Sequence, residues 1–272
     1  MRKRLTQVFP FLLPLRIWQR NIFYFMKMRL DSNHYSQTFG KQLPYLVCTL
    51  KTRMINENSG QDIIYQQNKV DNLKILSKTM NHIIIQPGEV FSFCLLEKNS
   101  KKYGTYKEGL VLVNHEIVPR KGGGICHLSN LLYHLFLLSP LEIVERHGHR
   151  MKSFPNPDSH SLDGVDATIN SGWLDLKVKN KTNQFYQIVI EFDQDYMYGS
   201  IFSNQESLVE TEIINDNFKY IRKDNKIYES VSVVKIIKDK ESKQQLSKEV
   251  LYDEVVEVGY ELSEDVEVEE II

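Results

Sequence analysis

Cysteine is scarce in this chain: three residues in 272, Cys48, Cys94 and Cys126. An odd, sparse set does not make a disulfide framework, and it fits a reducing compartment. Long apolar runs are missing too. The stretch 8–15 is broken by Pro10 and Pro14 and closed by Arg16, far short of the roughly 20 residues that span a bilayer. No small-residue cleavage site follows it, so cytoplasmic residence is the expectation. The net charge of −1 argues against a whole-protein attraction to nucleic acid. No ligand pair has C-x-x-C or H-E-x-x-H spacing, and the P-loop order is absent, so no metal or other cofactor is the leading expectation.

What charge there is lies unevenly. Residues 1–30 carry seven Lys or Arg and no acid, whereas residues 252–272 carry nine Asp or Glu and no base. The basic segment is also rich in Trp18, Phe23 and Phe25, and Pro14 suits the first position of a helix running to Leu30. Two placements follow: internal docking on the acidic C-terminal region with Trp18 buried, or peripheral contact of residues 1–30 with an anionic membrane. Internal docking is the expectation, because exposed Trp18, Phe23 and Phe25 would form a large apolar patch.

The remaining pattern predicts an α+β fold, an antiparallel sheet with packed helices. Three regions are expected: residues 1–45, a basic and aromatic helical segment; 46–205, the core domain; and 206–272, an acidic, β-rich appendage. Val70, Leu73, Leu76 and Met80 mark a helix, and strands are expected over 43–50, 82–86, 89–94, 141–149 and 165–170. Residues 173–179, 185–192 and 197–202 read as one antiparallel meander, and Asp224-Asn225 as a hairpin turn. Cys48 and Cys94 lie in apolar, strand-like runs and read as small core residues.

Chemistry concentrates at Gly122-Gly123-Gly124-Ile125-Cys126-His127. The glycines allow unusual backbone angles and close approach of a ligand. Leu128, Leu131, Leu132, Leu135 and Phe136 then follow at helical spacing. A cysteine in that first turn meets unpaired N–H groups and the positive end of the helix dipole, which favour thiolate. A thiolate needs a base, and the base needs a group to fix its tautomer. Glu145, His147 and His149 share one face of the expected next strand, and Asp166 lies on the one after. Cys126 as nucleophile, a histidine as base and Asp166 as orienter make a complete set. Gly122, Gly123, Gly124, His127 and His147 are the candidate substrate-binding residues. A zinc site built on His147 and His149 with Cys126 or His127 is the metal-dependent alternative. A non-catalytic ligand-binding or scaffold protein is the other.

The glycine–cysteine block with Ser129-Asn130-Leu131-Leu132, Gly148-His149, and Gly164-Val165-Asp166-Ala167-Thr168-Ile169 with Gly172-Trp173 resemble the VanW family. So do Arg4-Leu5-Thr6-Gln7, Phe9-Pro10-Phe11, Leu43-Pro44-Tyr45-Leu46 and Pro87-Gly88-Glu89. The resemblance runs nearly the whole length. It implies an accessory role in glycopeptide (vancomycin) resistance and cell-wall metabolism, with a cell-wall peptide or precursor as the partner. In the family pattern a glutamine follows the cysteine, where this chain has His127. The family histidine falls at His149, which makes His149 rather than His147 the base that the resemblance implies.

Overall fold

The computed structural model describes residues 9–113, 116–156, 161–263 and 265–270. Residues 4–7 of the family resemblance and the first three basic residues lie outside them, as do Pro157 and Asp158 of the stretch 153–164, whose prolines, aspartates and Gly164 are a loop signature. Four α-helices and several sheets make an α+β fold. The helices are α1 (Leu13–Leu30), α2 (Ile63–Ser77), α3 (Phe93–Glu97) and α4 (Cys126–Leu137).

An antiparallel sheet runs in the order Thr38–Phe39, Ile83–Ile85, Tyr186–Phe192, Tyr196–Ser203, Tyr45–Arg53. α4 lies on it at Gly199, where an added Cβ would sit 2.6 Å from Leu135. A second sheet orders His34–Tyr35, Glu89–Ser92, Lys177–Lys179 and Glu142–Glu145. The amphipathic face of α4, with Leu128, Leu132, Leu135 and Phe136 fully buried, joins Phe91, Phe93, Ile85 and Ile188 in one core. Burying each such side chain is worth about 1.5–3 kcal/mol. That packing fixes α4, and with it Cys126, to the scaffold.

The third sheet places Val268–Glu270, Val209–Lys223, Lys226–Asp239, Gln245–Val258 and Met151–Lys152 side by side. Asp224 and Asn225 both take positive φ (51° and 60°), as the two-residue hairpin turn requires. This sheet meets the rest of the chain through Met151–Lys152 and adds Ile213 and Val233 to the core.

Several expected strands end early, each for a local reason. The run at 89 stops at Ser92, whose hydroxyl accepts from Leu95 N–H and caps α3, so Cys94 is helical and buried. Cys48 lies in a strand as expected but is only half-buried. The run at 141 stops at Glu145. Residues 165–169 form no strand: Ala167 bonds to side chains of α4, the Asp166 carbonyl to Arg146 and Thr168 N–H to the His147 carbonyl. Lys177–Lys179 pairs in the second sheet, so the expected meander reduces to the hairpin of Tyr186–Phe192 and Tyr196–Ser203.

The expectation of a buried Trp18 is wrong. α1 turns Met28 and Tyr24 inward, and the Tyr24 hydroxyl donates to Asp175. The stripe Leu15, Trp18, Ile22 and Met26, spaced three and four residues apart, faces outward, with Trp18 61 % exposed. Among the described residues, the C-terminal acids pair elsewhere: Glu257 with Lys226, Glu269 with Lys219, Glu270 with Arg222 and Glu254 with Arg146. No described helix is long and apolar enough to cross a membrane.

Candidate active site

The start of α4 is fixed by close backbone packing. Gly122 and Gly124 take φ of 79° and 86°, a region that L side chains avoid. Gly123 presses on Gly109, and a Cβ added there would lie 2.1 Å from the Gly109 carbonyl. From α2, Asn72 donates to the carbonyls of Gly123 (3.1 Å) and Lys107 (3.0 Å) and accepts from Lys107 N–H. The Gly122 and Gly123 N–H groups donate to Lys107 and Arg120 carbonyls. The glycines therefore serve the packing that sets Cys126 in place, and these two N–H groups are already bonded. In the first turn of α4, His127 and Leu128 N–H donate to the Gly124 and Ile125 carbonyls, which leaves the Cys126 N–H as the donor at this end.

The second part of the site is the irregular segment 165–169. α4 holds it: Asn130 Oδ1 accepts from Ala167 N–H at 2.8 Å, and Ser129 Oγ donates to the Ala167 carbonyl at 2.6 Å. Thr168 N–H donates to the His147 carbonyl at 2.7 Å, which ties in residues 146–149. Asp166 then accepts twice from His149, from its backbone N–H at 2.7 Å and from ring Nδ1. With Nδ1 so engaged, Nε2 is the nitrogen left to face the Cys126 thiol, and each group shifts the titration of the other.

These contacts set the charges. Burial pushes the half-buried Cys126 thiol up, but hydrogen bonding and attraction to the His149 ring, with Ile169 N–H and the Thr168 hydroxyl, bring it below the free-cysteine value. Burial opposes the charged imidazole, yet Asp166 and Cys126 raise His149 to about 10. Asp166 is disfavoured by burial but held below the ordinary carboxylate value by His149 and Arg146. The three groups form a Cys126–His149–Asp166 relay whose contacts favour the thiolate–imidazolium form. Cys48 and Cys94 contrast with it: burial raises Cys48 to about 12 and Cys94 higher still.

Because the folded Asp166 carboxyl is depressed, its stabilising contribution is present above the unfolded value of about 3.9 and lost as pH falls through the folded value. In urea-unfolding series run at successively lower pH, Asp166→Asn should show a shallower acid loss of stability than the native chain. Parallel acid limbs would mean that Asp166 carries no such linkage.

Arg146 holds the relay together. It donates to Asp166 Oδ1 (2.6 Å), to the carbonyls of Asp166 (2.6 Å) and Gly164 (3.1 Å), and to Glu254 (2.6 Å). Its guanidinium packs over the rings of Tyr133 and Tyr252, at 5.1 and 5.3 Å from their centres. Glu254 lies 108 residues further along the chain. No local spacing could have pointed to it.

The other candidates fall outside the relay. His147 hydrogen-bonds Glu145 at 3.1 Å, and Glu145 also holds Lys177. His127, beside Cys126, meets Thr52 Oγ1 at 2.8 Å. Burial, and then the nearby Lys69 charge, lower His127 to about 3, so it is neutral. Among the described residues no group of three His, Cys, Asp or Glu side chains is placed to hold a metal ion.

The family model described as VanW like protein matches residues 68–202. The vancomycin B-type resistance protein VanW of Enterococcus faecalis is 42 % identical over 270 residues, covering 99 % of this chain and 98 % of that protein. The chain belongs to the VanW family. YoaR of Bacillus subtilis, an uncharacterized protein, is 27 % identical over 184 residues, 66 % of this chain and 57 % of that one. No solved structure matches. Cys126, His149, Asp166 and Arg146 lie inside the matched VanW region, whereas Glu254 and Tyr252 lie beyond it.

Proposed function

We propose that this VanW-family chain is a cysteine-dependent acyl-transfer or amidase enzyme acting on a cell-wall peptide or precursor, in the setting of glycopeptide resistance. The observation that carries the reading is a His149 ring bound to Asp166 whose charge lowers the Cys126 thiol. The Cys126 thiolate attacks an amide carbonyl carbon. The carbon–nitrogen bond breaks, and the leaving amine takes the proton held by His149. The acyl group, now a thioester on Cys126, passes to a second amine or to water, and His149 recovers a proton from that nucleophile. His127 and Leu128 N–H already donate to the Gly124 and Ile125 carbonyls, so the Cys126 N–H is the first-turn donor left for the oxyanion. The similarity to the Enterococcus protein supports the wall-related setting, and the relay supports the reaction type.

Intact-mass spectrometry of the protein incubated with a purified muropeptide fraction tests the reaction. An acyl adduct on Cys126 is expected, together with a released amine product, and Cys126→Ala should form neither. Equal product release by Cys126→Ala would defeat the proposal, as would the absence of both adduct and product.

The outward stripe of α1, flanked by Arg16, Lys27 and Arg29, supports peripheral docking on an anionic lipid surface. The Leu13–Leu30 helix has no acidic residue to oppose it. Co-sedimentation with phosphatidylglycerol vesicles is expected at low salt, weakening as salt rises. Trp18→Ser with Ile22→Ser should reduce it at least about tenfold, since two large apolar side chains are lost. Binding that ignores both salt and these substitutions would rule the surface out.

A further inference from the structure

Beside the relay lies a positive charge that the mechanism above does not use. Lys69, on α2, runs its side chain against Gly124, where an added Cβ would lie 2.3 Å from Lys69 Cγ. Its ammonium donates to Gln66 Oε1 at 2.7 Å. That oxygen also faces Asn56 N–H, at 3.4 Å, and the Gln66 amide nitrogen donates to Ser59 Oγ at 3.2 Å. The polar neighbours are thus amides and a hydroxyl. No carboxylate among the described residues lies within ion-pair distance of Lys69. A titratable group that responds to its charge is His127, which is neutral and tied to Thr52.

A half-buried ammonium without a counter-ion is costly, and burial alone pulls Lys69 down to about 8. Several half-buried cations are paired: Arg146 with two carboxylates, Lys152 with Asp163 and Glu229, and Lys177 with Glu145. Lys69 has no such partner among the described residues, nor has Lys235 on the distant third sheet, but the place of Lys69 is specific. Gly124 is two residues before Cys126, so their Cα atoms are at most about 7 Å apart. The Lys69 side chain thus packs on the segment that leads into the first turn of α4, two residues from Cys126.

We propose that Lys69, with the His127–Thr52 pair beside it, forms a subsite for a carboxylate of the peptide substrate, about one residue from the bond that Cys126 attacks. The inference rests on the acyl-transfer reading for its biological sense, but the binding it claims does not depend on the reaction. It specifies the substrate class as a peptide bearing a free carboxylate close to the scissile amide. A peptide amidated at that position would lose the ion pair.

The test compares N-acetylalanine with N-acetylalaninamide as probes, titrated into the native full-length chain at neutral pH and read by NMR or calorimetry. The acid should bind about tenfold tighter than the amide, the scale of one charge-assisted hydrogen bond. Lys69→Met, checked for an unchanged circular dichroism spectrum, should abolish that preference. Equal or undetectable binding of the two probes to the native chain would overturn the subsite, and so would a preference that survives in Lys69→Met. A second readout is the ratio of alkylation rates of Cys126 by iodoacetate and iodoacetamide, which should fall about fivefold in Lys69→Met. Slow alkylation by both reagents in the native chain would count against the activated thiol alone, while the probe titration still decides the subsite.

Discussion

Replacing His149 with glutamine is expected to slow alkylation of Cys126 at about pH 6 by two to three orders of magnitude, the usual scale for removing an acid–base partner. The sign follows from opposing effects on the thiol. Burial raises it, and hydrogen bonding and attraction to His149 bring it below the free-cysteine value. Glutamine keeps the burial and removes the positive charge, so the thiol returns to or above the ordinary value. The native pair also predicts an upper limit. His149 is held protonated to about 10 and stabilises the thiolate up to that point. For folding, a raised histidine contributes stability fully below its unfolded value of about 6.5, and that contribution is lost as pH rises through about 10. Leaving-group protonation should fail on the same alkaline limb. The measurement is the alkylation rate of each variant against pH, with the modified cysteine mapped by peptide mass spectrometry. An unchanged rate in His149→Gln would separate the histidine from the thiol.

Arg146→Met should give the largest loss of stability of any single change at the site, about 3 kcal/mol, or roughly 6–12 °C in melting temperature. Methionine keeps part of the packing between Tyr133 and Tyr252 but leaves Asp166 and Glu254 without their cation. Breaking a buried ion pair from one side costs more than the pair contributes, because the remaining carboxylates stay desolvated. Arg146 touches no reacting atom in the mechanism and acts by positioning Asp166. Its replacement should therefore also shift the pH profile of Cys126 alkylation, which a purely structural role would leave in place. A melting temperature within about 2 °C of the native chain would contradict this account of Arg146.

Both results bear on what could be read from the chain. Cys126, the histidine pair and Asp166 stood out by position: glycines before a helix, histidines on the expected next strand and a carboxylate on the one after, with His149 preferred to His147 only through the family resemblance. The fold class was legible from periodicity, and the hairpin at Asp224-Asn225 from its turn residues. The conformation of 165–169 was not legible, since its backbone pairs with Ser129 and Asn130 side chains rather than with another strand. Neither was the anchoring of Asp166, because Glu254 comes from a distant strand and reaches the site only through Arg146. The outward face of α1 was misread because Trp18 and Ile22 have the spacing of core residues. The side that packs is instead marked by Tyr24 and Met28, whose partners are set by tertiary structure.

The glycine triplet shows the same limit from another side. It reads equally well as a ligand cradle or as tight packing. The closeness of Gly123 to Gly109 and the clasp by Asn72 show the packing role, which depends on residues 14 and 51 positions away.

The central claim is that Cys126 is a thiolate activated by His149, and the pH profile of Cys126 alkylation by iodoacetamide in the native chain tests it most directly. At about pH 6 a free cysteine is only about 0.3 % thiolate. Cys126 should react at least about tenfold faster than free cysteine there, with Cys48 and Cys94 silent and the midpoint of the profile below the free-thiol value. A Cys126 profile that follows free cysteine, or lies above it, would contradict the account.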